Sequence, residues 1–321
     1  MRRSLLVLAL MLAGCAAPGP RAEAQEPALT EVLARWDRED PADLRGVIVL
    51  RDGAVVAERY YGGGAPSDRH DIRSAGKSVT GLLMAVAIDR GLVAGFDAPV
   101  AGIGRDAEGS ALGRATVADL LSMRSGLAAD DDNPASPGIE DHLDEAADPL
   151  RFILDVPAAG PPGHAYRYIS VTASAAGIVI AEAADRSMGE FAREALFGPL
   201  GIEDWRWDAD RAGYTKGQGN LRLRLRDFAT VGEMVRNGGV HDGRRILGRP
   251  ALDRLLTPEV SIGEVDPYPD AYGGFWYFKT HRIADRPVTV WFASGNGGNK
   301  LYVIPERRMV VAITSAAYGR G

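Results

Sequence analysis

The chain reads SAGKSVTGLLMAVAID between Ser74 and Asp89. This segment opens with a Ser-x-x-Lys spacing and continues with apolar residues at the three- and four-residue intervals of a helix. Residues three apart share one face of a helix, so the spacing predicts that the Lys77 amine lies beside the Ser74 hydroxyl. A serine next to an amine that can accept a proton is an activated nucleophile. The alternative is a serine at a helix N-terminus followed by an ordinary lysine.

Lysine is scarce in this chain, and this helps to decide whether Lys77 is an activating lysine or an ordinary one. Only four of the 37 Lys and Arg residues are lysines, at positions 77, 216, 279 and 300. Lysine loses its proton when it is desolvated, whereas arginine stays charged. A lysine three residues after a serine, in a chain that otherwise uses arginine, is therefore a poor candidate for a generic surface cation.

The first residues predict export and lipid attachment. Arg2 and Arg3 precede an apolar stretch, residues 5–12, which is too short to span a membrane and is typical of a secretory signal. Residues 12–15 read Leu-Ala-Gly-Cys, which resembles the lipobox of a bacterial lipoprotein. That resemblance implies cleavage before Cys15 and acylation of this residue. The alternative is an ordinary signal peptide that is cut elsewhere, for example after residue 24.

Three segments follow from the lipobox interpretation: a signal peptide at 1–14, a lipid-anchored tether at 15–27 and a folded domain at 28–321. We expect attachment to the periplasmic face of the outer membrane, because Ala16 stands where an aspartate commonly retains lipoproteins in the inner membrane. Cys15 is the only cysteine. Its acylation would leave the folded domain without a thiol for a disulfide, a nucleophile or a metal site.

The composition is that of a globular protein, with 46% hydrophobic residues, 25% charged residues and a net charge of −6. This balance indicates no nucleic-acid partner. Residues 76–78, Gly-Lys-Ser, imitate the end of a phosphate-binding loop, but that motif requires a glycine where Asp71 stands. The five histidines, at 70, 142, 164, 241 and 281, show no metal-ligand spacing. We expect no nucleotide, no metal and no cofactor.

Strand patterns occur near both ends of the chain and helical patterns between them. Period-two alternation predicts strands at 46–50 and 54–60, joined by a tight turn, and again at 274–282, 288–293, 300–304 and 309–314. Helical spacing predicts helices from about 27 to 36, from residue 74, and at 117–123, 171–184 and 228–237. The prediction is an α+β fold: an antiparallel sheet built from both chain ends, flanked by helices, with a mainly helical region inserted at about 92–270. The acidic run at 130–132 is expected to be a solvated loop.

A second segment completes a catalytic pattern. Residues 162–170 read PGHAYRYIS, and together with Ser74 and Lys77 they resemble the serine β-lactamase and penicillin-binding-protein superfamily, in its class C and esterase-like branch. The resemblance implies a β-lactamase/transpeptidase-like fold and identifies Tyr168 as the third catalytic residue. Ser170 takes the place of the family's asparagine and is expected to contact substrate. Further similar segments lie in the family's order, at 116–127, 196–202, 219–223, 293–299 and 303–306.

The family borders its site with a Lys/His-Thr/Ser-Gly triplet on a strand. The corresponding residues here are Ala293, Ser294 and Gly295, so the cation is missing from the triplet. The resemblance implies that Ser294 and Gly295 bind substrate and that the backbone N–H groups of Ser74 and Asn296 form the oxyanion hole. Because the cation helps to bind the carboxylate of β-lactams, its absence favours an esterase or amidase over an efficient β-lactamase.

The loop at 130–141 is similar to that of the 6-aminohexanoate-oligomer-hydrolase branch. The expected function is that of a serine hydrolase that cleaves a small-molecule amide or ester through an acyl-enzyme. The alternatives are a β-lactamase or D-alanyl peptidase, a protein that binds penicillin or cell-wall peptide without turnover, and a purely structural lipoprotein. Family members end with a helix packed on the sheet, and that helix is expected to be missing from this sequence.

Overall fold

An eight-stranded antiparallel sheet joins the two ends of the chain, in the order β2-β1-β13-β12-β11-β10-β9-β8. Its strands are β1 (Leu44–Arg51), β2 (Ala54–Tyr60), β8 (Val260–Ser261), β9 (Ala271–Gly273), β10 (Trp276–Ile283), β11 (Arg286–Gly295), β12 (Asn299–Ile304) and β13 (Met309–Ser315). The central contact pairs Val49 in β1 with Val311 in β13, which brings the two ends of the chain together. The predicted antiparallel α+β fold is confirmed.

The computed structural model describes residues 26–319 apart from residues 40, 103, 105 and 284. The predicted signal peptide, Cys15 and nearly all of the predicted tether lie outside the described residues. The first described element is a helix that begins at Glu26, inside the segment assigned to the tether.

The turn between β1 and β2 shows how the local sequence sets the sheet. Asp52 and Gly53 have φ angles of 51° and 80°. Two successive residues with positive φ form the turn type whose twist matches a two-residue hairpin, and Asp-Gly is a preferred sequence for it. The hairpin places β1 in the sheet interior, where its residues from Val47 to Leu50 are buried.

Nine α-helices surround the sheet or form the region between its two halves. They are α1 (Glu26–Glu39), α2 (Gly76–Asp89), α3 (Val117–Leu121), α4 (Glu140–Glu145), α5 (Pro149–Asp155), α6 (Ser170–Ala184), α7 (Met188–Ala192), α8 (Leu225–Arg236) and α9 (Arg249–Leu255), within the described part of the chain. Five short strands lie outside the main sheet: β3 (Arg69–Asp71), β4 (Arg206–Trp207) and β5 (Leu221–Arg224) form one small sheet, and β6 (Val240–His241) and β7 (Arg244–Arg245) pair as a hairpin.

The two faces of the main sheet bury different partners. On one face, Leu33 and Trp36 of α1 belong to a cluster that includes Val49 and Val311. On the other face, α2, α6 and α8 share a larger core with the remaining strand residues. Helix α2 is buried from Gly76 to Ala87, as expected for a helix that is apolar nearly all round.

The structure differs from the sequence-based expectations in two places. Ser74 lies in a 3-10 turn, Arg73–Ala75, and the α-helix begins only at Gly76. Helix α8 falls inside the range predicted as an insertion but packs on the sheet. A Cβ added at Gly232 would lie 2.7 Å from Leu301 Cδ1 and 2.8 Å from Val310 Cγ1. Helical periodicity reveals that a helix has an apolar face, but not which layer that face covers.

Candidate active site

Ser74 and Lys77 meet at the start of α2. The Lys77 Nζ lies 3.1 Å from the Ser74 Oγ, as the three-residue spacing predicts. Lys77 is only 1% exposed, whereas Ser74 is half-buried and open to solvent. The hydroxyl can therefore reach a substrate while the amine is held away from water.

Lys77 has further polar partners on two other segments. Its Nζ donates to the Gln218 carbonyl oxygen at 2.8 Å and lies 3.4 Å from the Ser170 Oγ. The same nitrogen lies 5.0 Å from the centroid of the Tyr168 ring. A buried polar group is tolerated only when its hydrogen bonds are made, and these contacts provide them.

The loop that carries Gln218 approaches α6 closely because residue 217 is glycine. A Cβ at Gly217 would lie 2.3 Å from the Ala173 carbonyl oxygen, a separation that no side chain tolerates. The Gln218 side chain is fixed as well, since its Oε1 accepts from the Ser174 hydroxyl at 2.7 Å. The carbonyl that faces Lys77 is thus held by backbone packing and by a side-chain hydrogen bond.

The residue before Ser74 has an unusual backbone. Arg73 has a φ of 53°, in the left-handed region that a non-glycine residue rarely adopts. Asp71 stabilises this conformation, because its Oδ1 accepts from the Arg73 N–H at 2.9 Å. The Arg73 guanidinium lies 4.7 Å from the centroid of the Tyr318 ring. The strained turn is therefore held from both sides, which is typical of a functional position.

Tyr168 belongs to an aromatic wall. Its ring stacks on Tyr277 at 6.4 Å and meets Tyr272 edge-on at 6.3 Å, and Tyr166 contacts Tyr272 at 5.4 Å. Burial raises the pKa of Tyr272 and of Tyr277 well above the ordinary value, so these phenols stay neutral. Tyr168 is only half-buried and is the tyrosine of this wall whose ring faces Lys77. The structure brings together Ser74, Lys77 and Tyr168, the three residues predicted as catalytic.

Ser170 joins Lys77 to an acidic loop. Its hydroxyl donates to the Glu140 Oε2 at 3.0 Å, and its backbone N–H donates to the Asp131 Oδ2 at 2.7 Å. The expectation that residues 130–132 are merely solvated is wrong for Asp131, although Asp132 is exposed. The carboxylate of Asp131 receives the first N–H of α6, where a negative charge is favoured. Sequence gave no sign of this contact, because the two residues are 39 positions apart.

The end of β11 packs against the turn that carries Ser74. A Cβ at Gly295 would lie 2.0 Å from the Ile72 carbonyl oxygen and 3.1 Å from the Ala75 nitrogen, so only glycine fits. Asn296 follows, and its Oδ1 accepts from the Gly319 N–H at 3.0 Å. The close packing favours the predicted oxyanion hole between the N–H groups of Ser74 and Asn296, which stays a prediction.

The strand side of the site contains one residue that the sequence analysis missed. Ser294 pairs with Lys300 of β12, and the Lys300 Nζ donates a hydrogen bond to the Ser294 Oγ. Both side chains are half-buried. Burial lowers the pKa of Lys300 from 10.5 to about 8, and the negative charge of Asp266 opposes that change. The missed residue is Lys300. The scarcity of lysine in the sequence could have pointed to it, but that observation was used only for Lys77.

Among the described residues, which are 26–319 without residues 40, 103, 105 and 284, no group of three or more His, Cys, Asp or Glu side chains is arranged to hold a metal ion. Among the same described residues, no helix combines the length and the apolar character needed to cross a membrane.

The profile of the Beta-lactamase family matches residues 34–320. Because the match covers nearly the whole chain, this protein belongs to the Beta-lactamase family. The expected membership of the serine β-lactamase and penicillin-binding-protein superfamily is confirmed.

The chain is also similar in sequence to a named hydrolase. The 6-aminohexanoate-dimer hydrolase of Paenarthrobacter ureafaciens is 27% identical over an alignment of 223 residues, and the match covers 65% of this chain and 56% of that protein. The match therefore spans little more than half the length of that relative.

Two solved structures share the fold. A Bacillus anthracis protein provisionally described as a 6-aminohexanoate-dimer hydrolase gives a TM-score of 0.74 at 19% identity, over 88% of this chain and 76% of its own. A penicillin-binding protein homologue from Caulobacter crescentus gives a TM-score of 0.72 at 18% identity, over 88% of this chain and 90% of its own. At such identities the likeness establishes the fold.

Proposed function

We propose that the protein is a serine hydrolase that cleaves an amide or ester bond through an acyl-enzyme on Ser74. The observation that carries the proposal is the 3.1 Å contact between the buried Lys77 amine and the accessible Ser74 hydroxyl. The Lys77 Nζ also donates to the Gln218 carbonyl oxygen at 2.8 Å and lies 3.4 Å from the Ser170 Oγ, so partners on two other segments hold the amine beside Ser74.

In the proposed mechanism, the Ser74 Oγ attacks the carbonyl carbon while its proton passes to Lys77 or Tyr168. The oxyanion that forms accepts hydrogen bonds from the N–H groups of Ser74 and Asn296. Collapse of this intermediate breaks the bond to the leaving amine or alcohol, which takes up the proton. Water then attacks the ester on Ser74 and releases the acid.

The name of the Paenarthrobacter relative favours an amide substrate. The alternatives are β-lactamase activity, D-alanyl peptidase activity and penicillin binding without turnover. The similarity in fold to a penicillin-binding protein homologue is a reason to test them. These alternatives differ in their kinetics. An acylated enzyme that hydrolyses gives a burst followed by steady turnover, and one that does not stops after a single equivalent.

The test is a substrate panel: p-nitrophenyl esters, nitrocefin, D-amino-acid amides and 6-aminohexanoate oligomers. Ser74→Ala should lower kcat on the order of 10⁶-fold for every substrate that the wild type cleaves. Ser78→Ala is the matched control, because the Ser78 hydroxyl donates to the Phe275 carbonyl at 2.6 Å, its one hydrogen bond among the residues that the structure describes. A fluorophosphonate should label Ser74, as read by peptide mass spectrometry. Turnover by Ser74→Ala within about tenfold of wild type would refute the proposal.

We also propose that the protein is anchored through a lipid on Cys15, on the periplasmic face of the outer membrane. The lipobox at residues 12–15 supports this location. Two or more acyl chains give stable anchoring. Cys15→Ser should release the protein into the soluble fraction or leave it unprocessed. Wild-type protein that is soluble and free of lipid by mass spectrometry would contradict the anchor and leave only export.

A further inference from the structure

We propose that Glu140 and Asp144, on the short acidic helix α4, are positioning residues that hold the two remote partners of Lys77 in place. Glu140 acts through Ser170, and Asp144 acts through Gln218. The inference rests on the proposed function, since it concerns how the proposed site keeps its lysine in position.

The two carboxylates lie on one face of α4, because residues four apart in a helix are neighbours. The helix reads EDHLDE from Glu140 to Glu145. Glu140 and Asp144 are half-buried, whereas Asp141 and Glu145 are exposed. Leu143 is buried in the core and fixes the helix against it. Helix α4 therefore turns two of its acidic residues toward the protein and two toward solvent.

The Glu140 carboxylate sets the direction of the Ser170 hydroxyl. Ser170 is 2% exposed, and its Oγ lies 3.0 Å from the Glu140 Oε2 and 3.4 Å from the Lys77 Nζ. An ionised carboxylate only accepts hydrogen bonds, so the single hydroxyl proton of Ser170 points to Glu140. The Ser170 oxygen then presents a lone pair to Lys77. A proton that Lys77 takes from Ser74 is stabilised by this oriented oxygen and, one hydrogen bond further on, by the negative charge.

The Asp144 carboxylate fixes the loop that presents the Gln218 carbonyl to Lys77. Its Oδ2 accepts from the Lys216 Nζ at 2.7 Å, and its Oδ1 accepts from the Gln218 Nε2 at 3.4 Å. These two donors flank Gly217, the residue at which the loop touches α6. Asp144 thus ties the loop to α4 on both sides of its closest approach to α6. The Gln218 carbonyl oxygen, 2.8 Å from the Lys77 Nζ, is held by that attachment.

A third carboxylate joins α4 to α6. The Asp131 Oδ1 accepts from the Glu140 N–H at 3.1 Å, and its Oδ2 accepts from the Ser170 N–H at 2.7 Å. Asp131 therefore binds the first residue of each helix. A helix of six residues is too short to be stable alone, and this anchor fixes the acidic face of α4 relative to Lys77.

The first test is kinetic. Glu140→Gln and Asp144→Asn keep the shape of each side chain and remove its charge. Each should lower kcat on the order of tenfold and change KM by less than about twofold, because the lysine loses its setting while substrate contacts stay. Glu145→Gln and Asp141→Asn remove the same charges from exposed positions of the same helix and should leave kcat within about twofold of wild type. An equal loss of kcat in these control variants would overturn the inference.

The route through Ser170 is tested with double variants. In a Ser170→Ala background, Glu140→Gln should lower kcat no further, since the hydroxyl through which it acts is gone. Asp144→Asn should keep its effect there, because it acts through Gln218. Effects of Glu140→Gln and Ser170→Ala that multiply as independent changes would overturn this route.

The setting of Lys77 is measured without catalysis by NMR. The chain has four lysines, so protein labelled with ¹³C at the lysine Cε gives four signals, which are assigned by replacing each lysine in turn with arginine. In substrate-free protein the Lys77 signal should shift in Glu140→Gln and in Asp144→Asn and coincide with wild type in the two control variants. The Lys216 signal should also shift in Asp144→Asn, since these side chains are in contact. A purely structural role of α4 would change the melting temperature but not the Lys77 signal of the folded protein.

This measurement separates the inference from the proposed function. If the wild type cleaves no substrate of the panel but the Lys77 signal shifts in both α4 variants, the hydrolase proposal fails and the positioning of Lys77 by α4 stands. If turnover is present and the Lys77 signal is unchanged in both variants, the positioning role fails alone.

Discussion

Two serine–lysine pairs lie in this protein, and they are built in opposite ways. Ser74 and Lys77 are three residues apart at the start of α2, and Lys77 has acceptors on the loop at Gln218 and on α6 as well. Ser294 and Lys300 lie on neighbouring strands, and Lys300 has no acceptor besides the serine hydroxyl among the described residues. The first lysine is held by partners on three segments, whereas the second is held by a single hydroxyl on the neighbouring strand.

The difference teaches how one kind of contact can serve two purposes. A lysine that must exchange a proton with a fixed hydroxyl needs a rigid setting, because reaction rates fall when geometry loosens. The Ser294–Lys300 contact is set by strand pairing instead, and Lys300 has only this one hydrogen-bond partner among the described residues. Changes at the two lysines should accordingly alter different measurements.

The largest effect is expected at Lys77. Lys77→Arg should lower kcat/KM about as much as Lys77→Ala, on the order of 10²- to 10⁴-fold, because arginine keeps the charge but accepts no proton. The measurement is steady-state hydrolysis of the best ester in the panel, together with the melting temperature. Retention of most activity in Lys77→Arg would make the Ser74–Lys77 contact electrostatic, and the contrast between the two pairs would disappear.

The next effect concerns Tyr168. Tyr168→Phe should lower the acylation rate by about 10- to 100-fold with little change in melting temperature, because only a hydroxyl is removed. Tyr166→Phe serves as the control, since Tyr166 lies in the same segment and packs on Tyr272. Rapid-mixing measurement of the burst reports acylation directly. An equal loss in both variants, or a large loss of stability in Tyr168→Phe, would assign Tyr168 to the aromatic wall alone.

A smaller effect is expected from the acidic loop that holds Ser170. Asp131→Asn should lower the free energy of unfolding by about 2 kcal/mol, because the N–H of Ser170 loses a charged acceptor at the start of α6. Asp132→Asn removes the same charge one residue later, at an exposed position, and should change stability by less than about 0.5 kcal/mol. Chemical denaturation measures both. Equal stabilities for the two variants would mean that Asp131, like Asp132, contributes no stabilising contact.

The smallest effect is expected on stability at Lys300. Its folded-state pKa, about 8, lies below the unfolded value of 10.5, so the protonated form penalises the folded state below about pH 8. Lys300→Met should therefore be more stable than wild type by about 1 kcal/mol near neutral pH, a figure reduced for partial exposure of the side chain. The advantage should shrink as the pH rises from about 8 to about 10, where the wild-type lysine is neutral in the fold. Thermal melts across this range provide the measurement, and an advantage that is constant with pH would argue against a lowered pKa of Lys300.

The sequence alone predicted those features of the fold and of the site that depend on residues close together in the chain. The period of the apolar residues found the strands at both ends and the long helices, and a three-residue spacing found the Ser74–Lys77 contact. Boundaries moved by a few residues: the strand expected at 288–293 runs from Arg286 to Gly295, and Ser74 lies in a 3-10 turn rather than in the helix.

What sequence could not predict depends on contacts between distant segments. The carbonyl of Gln218 reaches Lys77 across 141 positions, and Glu140 reaches Ser170 across 30. Neither residue belongs to a pattern with a period. Lys300 is only six positions from Ser294, but their contact requires the register of β11 with β12, which a hairpin of unknown turn geometry leaves open.

That register has a consequence for how related proteins could diverge. Only residues 296–298 connect β11 to β12, and side chains alternate between the faces of a strand. A single-residue insertion or deletion absorbed in β12 would exchange the faces of Lys300 and Leu301, so that the lysine would point into the larger core and the leucine would lie beside Ser294. The turn that carries Ser74 and the helix that carries Lys77 would be unchanged. The length of this hairpin thus decides which side chain of β12 lies beside Ser294, independently of the segment that contains Ser74 and Lys77.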